Sequence, residues 1–120
     1  MHSLVKQMNP GVGPAVLVSS YTHPEYSISM AQVIEQLGST ALLLRGTEGE
    51  PVADPRRLPS MRVFHRGVLD LAIEPQTGSL ASIPDLPRTI DAEATAHYIR
   101  AVLAGTQALP GPIAEQLAQI

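Results

Sequence analysis

Two carboxylates stand two residues apart in a glycine-rich segment that directly follows an apolar run. The segment is Arg45-Gly46-Thr47-Glu48-Gly49-Glu50, and the run before it is Ala41 to Leu44. A short apolar run that ends in glycines is typical of a buried strand that delivers a loop at its carboxyl end, where open α/β sheets bind ligands. We therefore predict a ligand loop over residues 45–50. Because Mg²⁺ prefers hard carboxylate oxygens, Glu48 and Glu50 are candidate metal ligands; a solvated acidic loop is the alternative.

Arginines surround the candidate loop in the sequence. Arg45 begins it, and Arg56 and Arg57 follow in a proline-punctuated segment. Arginine binds phosphate bidentately, so these three residues are candidate contacts for a phosphate group or a nucleic acid; a solvated charged surface is the alternative. The chain has one lysine, seven arginines and a formal net charge of −3. Its overall charge therefore gives no attraction to nucleic acid, and any basic surface must be local.

The sequence shows no recognisable pairing of a nucleophile with a base. It contains no cysteine, which excludes disulfides and thiolate chemistry and is typical of a reducing compartment. Ser20 ends an apolar run without the flanking glycines of a nucleophile elbow. His23 precedes Pro24, where capping of a helix or a place at the edge of the core is its expected role. We assign no catalytic residue.

The composition is that of one globular domain. The chain has 120 residues, of which 44% are hydrophobic and 16% are charged, and this is long enough for a single core. No apolar run approaches the roughly 20 residues that span a bilayer. The amino-terminal residues lack the basic and apolar pattern of a secretion signal. We expect a cytoplasmic protein without a membrane partner.

Hydrophobic periodicity predicts a βαβ unit over residues 14–45. A compact apolar run precedes a helix that begins at Pro24 and ends at Gly38, and a second apolar run follows. This order favours a right-handed unit with parallel strands. Its helix should bury one stripe, formed by Tyr26, Met30, Val33, Ile34 and Leu37.

The remaining chain is predicted to complete a partial α/β domain. A helix tail over residues 1–8 precedes the unit, and loop 46–60 leads to a hairpin over residues 61–74 that turns at Arg66-Gly67 and has one covered face. Two helices over residues 91–120, the first capped by Asp91, close the chain. The expected fold class is α/β, with a mixed, mainly parallel sheet and flanking helices.

Five features of the chain occur in the order found in one enzyme family. Met8-Asn9-Pro10 is similar to the family's Leu-Asn-Pro turn, and Ser20 to Glu25 resembles the strand-to-helix junction after it. Leu37-Gly38 precedes the second strand, Arg45 to Glu50 stands at the family's His-Gly, Asp-Gly and Asp-Glu segment, and Asp91 to Gly105 resembles the penultimate helix. Together they resemble the C-terminal part of the α/β domain of the anthranilate phosphoribosyltransferase-like family, the family-three glycosyltransferases. The strings around Tyr21 and Glu48 resemble a non-biosynthetic paralogous subgroup, for some members of which nucleic-acid binding is proposed.

The resemblance implies a nucleoside phosphorylase/phosphoribosyltransferase-like α/β domain and, in an intact member, Mg²⁺-dependent transfer. Aligning Arg45-Gly46 with the family's His-Gly puts Glu48 on the first aspartate and Pro51-Val52 on the metal-binding Asp-Glu pair. The family's glycine-rich phosphate loop is also absent, since the sequence has no Gly-x-Gly-x-x-Gly. We therefore expect the C-terminal portion of a glycosyltransferase-like protein that is inactive by itself and has no cofactor of its own.

Two other functions stay open, namely a non-enzymatic nucleic-acid-binding module and a structural or dimerisation remnant. The family's dimer forms through a helical domain that has no counterpart in this sequence. The expected partners are therefore an upstream domain or a second copy of the chain. Without the family's earlier strands, one sheet edge and one helix face should be uncovered. Because an uncovered edge is a template for strand pairing, we expect the chain to self-associate.

Overall fold

The sheet has four strands in the order β1-β2-β3-β4 and is mixed. The computed structural model describes residues 5–120, so the first four residues of the predicted helix tail over residues 1–8 lie outside them. The elements are β1 (Leu17–Tyr21), α1 (Pro24–Leu37), β2 (Ala41–Arg45), β3 (Met61–His65), β4 (Val68–Ile73), α2 (Ala92–Leu103) and α3 (Gly111–Ala118). The predicted α/β class is confirmed.

Strand β2 lies at the centre of the core and is buried on both faces. Its four apolar residues, Ala41 to Leu44, are each 1% exposed or less, as expected for a continuous apolar run. Ala41 and Leu43 belong to the cluster beneath α1, and Leu42 and Leu44 belong to the cluster on the opposite face. The second cluster also contains Ala53 and Met61.

The βαβ unit forms as predicted, with β1 and β2 parallel and α1 between them. Pro24 occupies the first turn of α1, and Gly38 ends the helix in the left-handed conformation at φ 61°. The predicted apolar stripe is confirmed at Met30 and Ile34, which are buried together with Ala31. It is wrong at both ends, because Tyr26 and Leu37 are exposed. The middle of α1 packs on the sheet, since Met30, Ala31 and Ile34 share a buried cluster with Ala41, Leu43 and Phe64. Tyr26 and Leu37, near the two ends of the helix, lie outside that cluster.

The expectation of a mainly parallel sheet is wrong for the described residues. Only β1 and β2 are parallel there; β2 pairs with β3 and β3 pairs with β4 in antiparallel orientation. The physical reason lies in the connections. Loop 46–60 contains no crossover helix, so it returns the chain in the opposite direction, and a two-residue turn joins only antiparallel strands.

The hairpin turns at Arg66-Gly67, as predicted. Arg66 has φ 50° and Gly67 has φ 79°, the pair of positive values that defines a type I′ turn. The expectation of one covered face is wrong for β3, because Met61 and Phe64 point to opposite faces and are both buried. The reason is that β3 is an inner strand next to β2, while β4 is the exposed edge strand.

Two helices occupy the predicted range 91–120. Asp91 caps α2 by accepting a hydrogen bond from the Ala94 N–H at 2.7 Å, as predicted. None of the residues of α2 is fully buried. Among residues 5–120, no helix is long and apolar enough to cross a membrane.

We predict that Gly67→Ala lowers the free energy of unfolding by about 2 kcal/mol or more. The new Cβ would lie 2.7 Å from the Glu35 carbonyl oxygen and 2.9 Å from the Gly38 Cα, in a backbone conformation with positive φ. Urea denaturation measures the change. Gly78→Ala is the control, because Gly78 also has positive φ but a Cβ there would meet no atom within 4 Å; it should cost about 1 kcal/mol. Equal losses for the two variants would contradict the packing of the turn against α1.

Candidate functional site

A cleft of about 500 Å³ lies at the carboxyl ends of β1 and β2. Because the two strands are parallel, the residues that follow them meet at the same edge of the sheet. Thr22 follows β1, Arg45 ends β2, and Gly46 and Thr47 come next. All four residues line the cleft, and Asp54 and Arg57 approach it from the segment that follows the loop. Thr77 also lines the cleft, so the structure brings together two arginines, one aspartate and three threonines.

Gly46 lets the loop leave β2 close to β1. Its N–H donates to the Tyr21 carbonyl oxygen at 2.9 Å, which extends the parallel ladder by one bond. A Cβ at this position would lie 2.9 Å from the Glu50 carbonyl oxygen and 3.1 Å from the Ser20 Cβ. Gly46 is therefore required because the backbone approaches it closely, and this closeness brings the loop back across the end of β1.

The middle of the loop is fixed by groups from β1 and from the amino-terminal segment. The buried Ser20 Oγ donates to the Gly49 carbonyl oxygen at 2.7 Å. The Lys6 Nζ donates to the Ser20 carbonyl oxygen at 3.1 Å and reaches the same Gly49 oxygen at 3.4 Å. Ser19 Oγ in turn donates to the Lys6 carbonyl oxygen at 2.9 Å. Sequence reasoning missed Lys6 as a residue of this site.

Asp54 organises the turn that carries the two adjacent arginines. Its carboxylate accepts bonds from Arg56 Nε at 3.0 Å and Nη2 at 2.9 Å, and from the Arg56 backbone N–H at 2.9 Å. The Arg57 N–H closes the turn by donating a hydrogen bond to the Asp54 carbonyl oxygen at 3.3 Å. The hydrogen bond from the Arg56 side chain is the main cause that lowers the pKa of Asp54 from its usual 3.8.

The predicted phosphate contacts separate into two kinds. Arg45 and Arg57 line the cleft, and both side chains are exposed. Arg57 also donates through Nη2 to the Gly78 carbonyl oxygen at 3.0 Å. Arg56 does not line the cleft, and its guanidinium is engaged by Asp54. Two adjacent arginines therefore have different roles, one within the turn and the other beside the cleft.

The predicted metal ligands lie outside the cleft. Glu48 and Glu50 are exposed, and neither lines it. Within residues 5–120, no three side chains of histidine, cysteine, aspartate or glutamate are grouped so that they could hold a metal ion. A cation on this loop would have at most two surface carboxylates as protein ligands. These residues do not form a built Mg²⁺ site, and we assign no reaction step to the metal.

Comparison with known proteins gives a relative but no family, since no family model matches the chain. The chain is similar to Uncharacterized protein YbiB of Escherichia coli (strain K12). The two are 36% identical over 118 residues, which is 98% of this chain and 36% of YbiB. The chain thus spans about a third of the length of this relative, whose name assigns no activity.

We predict that the Asp54 turn contributes stability that is lost in acid. Because the pKa of Asp54 is lowered on folding, its contribution is fully present above the usual value of 3.8 and disappears as the pH falls through the lower folded value. The difference in unfolding free energy between the wild type and Asp54→Asn should therefore shrink below pH 3.8. Urea denaturation across this range measures it.

Arg56→Ala supplies the matching test of the cause. Without its main hydrogen-bond donor, the Asp54 carboxyl should titrate closer to its usual value, which NMR can follow directly. An Asp54 pKa that is the same in the wild type and in this variant would show that Arg56 is not responsible.

Proposed function

We propose that this chain is the C-terminal portion of a glycosyltransferase-like, nucleoside phosphorylase/phosphoribosyltransferase-like α/β domain, that it is inactive by itself, and that its cleft binds a phosphate group. The observation that carries the proposal is the position of Arg45 and Arg57 in one cleft at the carboxyl ends of parallel strands. Open α/β sheets bind ligands at that edge. The order of sequence features that resembles the anthranilate phosphoribosyltransferase-like family supports the same assignment.

The chemistry of the cleft suits an anion. Arg45 and Arg57 offer guanidinium donors, and Thr22, Thr47 and Ser60 add hydroxyl groups. Arginine and hydroxyl donors together match the oxygens of phosphate. Asp54 also lines the cleft and would repel an anion, but its carboxylate is already bound by the Arg56 guanidinium. The pairing of Asp54 with Arg56 thus offsets the negative charge that would otherwise repel a phosphate group.

Turnover requires groups that this chain does not contain. The sequence has no glycine-rich phosphate loop, and Pro51-Val52 stands where the family carries its metal-binding pair. Glu48 and Glu50 are exposed and outside the cleft. Any Mg²⁺-dependent chemistry would therefore depend on parts of a longer protein, and the length of YbiB outside the matched region leaves room for them.

A nucleic-acid-binding module is the second candidate function. The same pair, Arg45 and Arg57, favours it, because a phosphate cleft also accepts a phosphodiester. The engagement of Arg56 by Asp54 and the net charge of −3 reduce the available positive charge. The two candidates differ in what they bind: the first requires a terminal phosphate group, while the second requires a continuous strand.

The two edges of the sheet bear on the third candidate, a structural or dimerisation role. In a parallel pair, alternate residues direct their backbone groups to opposite sides. Leu17 and Tyr21 bond to the β2 side, so Val18 and Ser20 face the open edge of β1. On that edge, Lys6 Nζ donates a hydrogen bond to the Ser20 carbonyl oxygen. On the opposite edge, β4 presents exposed apolar side chains. An upstream domain or a second copy of the chain would cover these edges.

We predict that inorganic phosphate binds the chain in isothermal titration and that Arg57→Ala and Arg45→Ala each weaken binding roughly tenfold, because each removes a charged hydrogen-bond donor. Arg88→Ala is the matched control, since Arg88 is an exposed arginine outside the cleft, and its affinity should stay within about twofold. The chain alone should show no Mg²⁺-dependent turnover of phosphoribosyl pyrophosphate. Absence of phosphate binding to the wild type would contradict the proposal.

A titration with single-stranded DNA at low and moderate salt separates the two binding functions. A nucleic-acid module predicts an affinity that falls with salt and is reduced in both cleft variants. Binding of phosphate without binding of the oligonucleotide would eliminate the second candidate and leave the first in place.

We also predict that the chain self-associates, so that light scattering gives a mass above 12.8 kDa. Val68 and Leu71 of the edge strand β4 are exposed by 69% and 41%, and Val68→Lys with Leu71→Lys should lower the mass by placing charge on that strand. Ile90→Lys is the control, because Ile90 is fully exposed outside the sheet. A monodisperse species of 12.8 kDa for the wild type would contradict the prediction.

A further inference from the structure

The only fully buried residue of the short helix α3 is an amide, Gln116. The helix has eight residues, from Gly111 to Ala118, and a helix of this length is not stable by itself in water. It must therefore be held by tertiary contacts. Burial of an amide is unfavourable unless its polar atoms are hydrogen-bonded. Gln116 is only 5% exposed, so the partners of its side chain determine where α3 can lie.

Both polar atoms of this side chain bind the backbone after the candidate ligand loop. Gln116 Oε1 accepts from the Ala53 N–H at 2.7 Å, and Nε2 donates to the Pro51 carbonyl oxygen at 2.9 Å. Since the Ala53 N–H is only a donor and the Pro51 carbonyl only an acceptor, a single orientation of the amide satisfies both. The contact therefore fixes the position of segment 51–53 relative to α3.

A short chain of contacts connects this segment to the cleft. Ala53 is buried in the core cluster that contains Leu42, Leu44 and Met61. Asp54 follows directly and lines the cleft, and its carbonyl oxygen closes the turn with the Arg57 N–H. A displacement of Ala53 would therefore move the first residue of the turn that carries Arg57.

We propose that Gln116 is a positioning residue that couples the docking of α3 to the placement of Arg57 in the cleft. Gln116 fixes the position of Ala53 through the bond from the Ala53 N–H. Ala53 directly precedes Asp54, the first residue of the turn, and this turn places Arg57 beside the cleft. The importance of this arrangement for a ligand rests on the proposed phosphate-binding function. The coupling itself is a property of the fold and can be measured without a ligand.

The chemistry of the side chain explains why glutamine suits the position. Leucine of similar size would leave the Ala53 N–H and the Pro51 carbonyl unpaired. Glutamate would still accept from the Ala53 N–H, but its ionised oxygen would face the Pro51 carbonyl oxygen. When protonated, its carboxyl can donate to that oxygen and restore the second bond. The variant Gln116→Glu should therefore depend on pH in a way that the wild type does not.

Amide hydrogen exchange and NMR test the coupling without any ligand. In Gln116→Leu we expect the Ala53 amide to exchange roughly fivefold faster or more and the Arg57 Nε–H signal to shift, while the amides of α1 keep their wild-type protection. Gln119→Leu is the matched control, because the side-chain amide of Gln119 donates to Glu115 Oε1 at 3.0 Å, one turn earlier in the same part of the chain. Unchanged Ala53 exchange and an unchanged Arg57 signal in Gln116→Leu would overturn the proposal.

Phosphate affinity then tests the functional consequence. Gln116→Leu should bind inorganic phosphate roughly fivefold more weakly than the wild type. Gln116→Glu should be weaker at neutral pH and should approach the wild type, measured at the same pH, as the carboxyl becomes protonated. A wild type that does not bind phosphate would refute the proposed function, whereas the exchange and NMR results would still decide on the coupling. Phosphate binding that is equal in the wild type and in both variants would refute the role of Gln116 at the cleft.

Discussion

Burial of β2 on both faces is the constraint on which the rest of the structure depends. Leu42, Leu43 and Leu44 are fully buried, and removal of each leucine side chain from water contributes about 1.5–3 kcal/mol. Such a strand needs a cover on each side. Helix α1 covers one face. The other face is covered in part by Ala53 and Leu58, which belong to the segment that follows the candidate ligand loop. The loop thus connects β2 to residues, Ala53 and Leu58, that cover one face of the same strand.

This arrangement links the candidate site to the stability of the fold. A loop whose continuation packs on the core cannot move freely, and its backbone groups are bound from several directions. Ser20 holds Gly49, Gln116 holds Pro51, and Gly46 bonds to Tyr21. Polar groups that are partly removed from water are unfavourable unless their hydrogen bonds are made. Their concentration around one loop favours a single loop conformation, which is what a binding cleft requires.

Local sequence patterns were sufficient to predict the elements near β2. The apolar run, Pro24, Gly38 and the Arg66-Gly67 turn are short-range signals with direct physical causes, and each predicted the structure that forms. The direction of the later strands, the burial of Phe64 and the exposure of Leu37 depend on which strands become neighbours, and no local pattern contains that information. Lys6 and Gln116 were missed for the same reason, since Gln116 and Ala53 are separated by 63 positions.

The two adjacent arginines show why counting charges near a loop is a poor guide to its function. Arg56 and Arg57 are equivalent in the sequence, but the Asp54 carboxylate binds Arg56 bidentately and leaves Arg57 beside the cleft. The paired arginine offsets the charge of an aspartate that lines the same cleft. Contact with a phosphate is decided by donors within hydrogen-bond distance rather than by the net charge of the chain. A cleft that suits an anion can therefore exist in an acidic protein, provided that its carboxylate is engaged by a side chain outside the cleft.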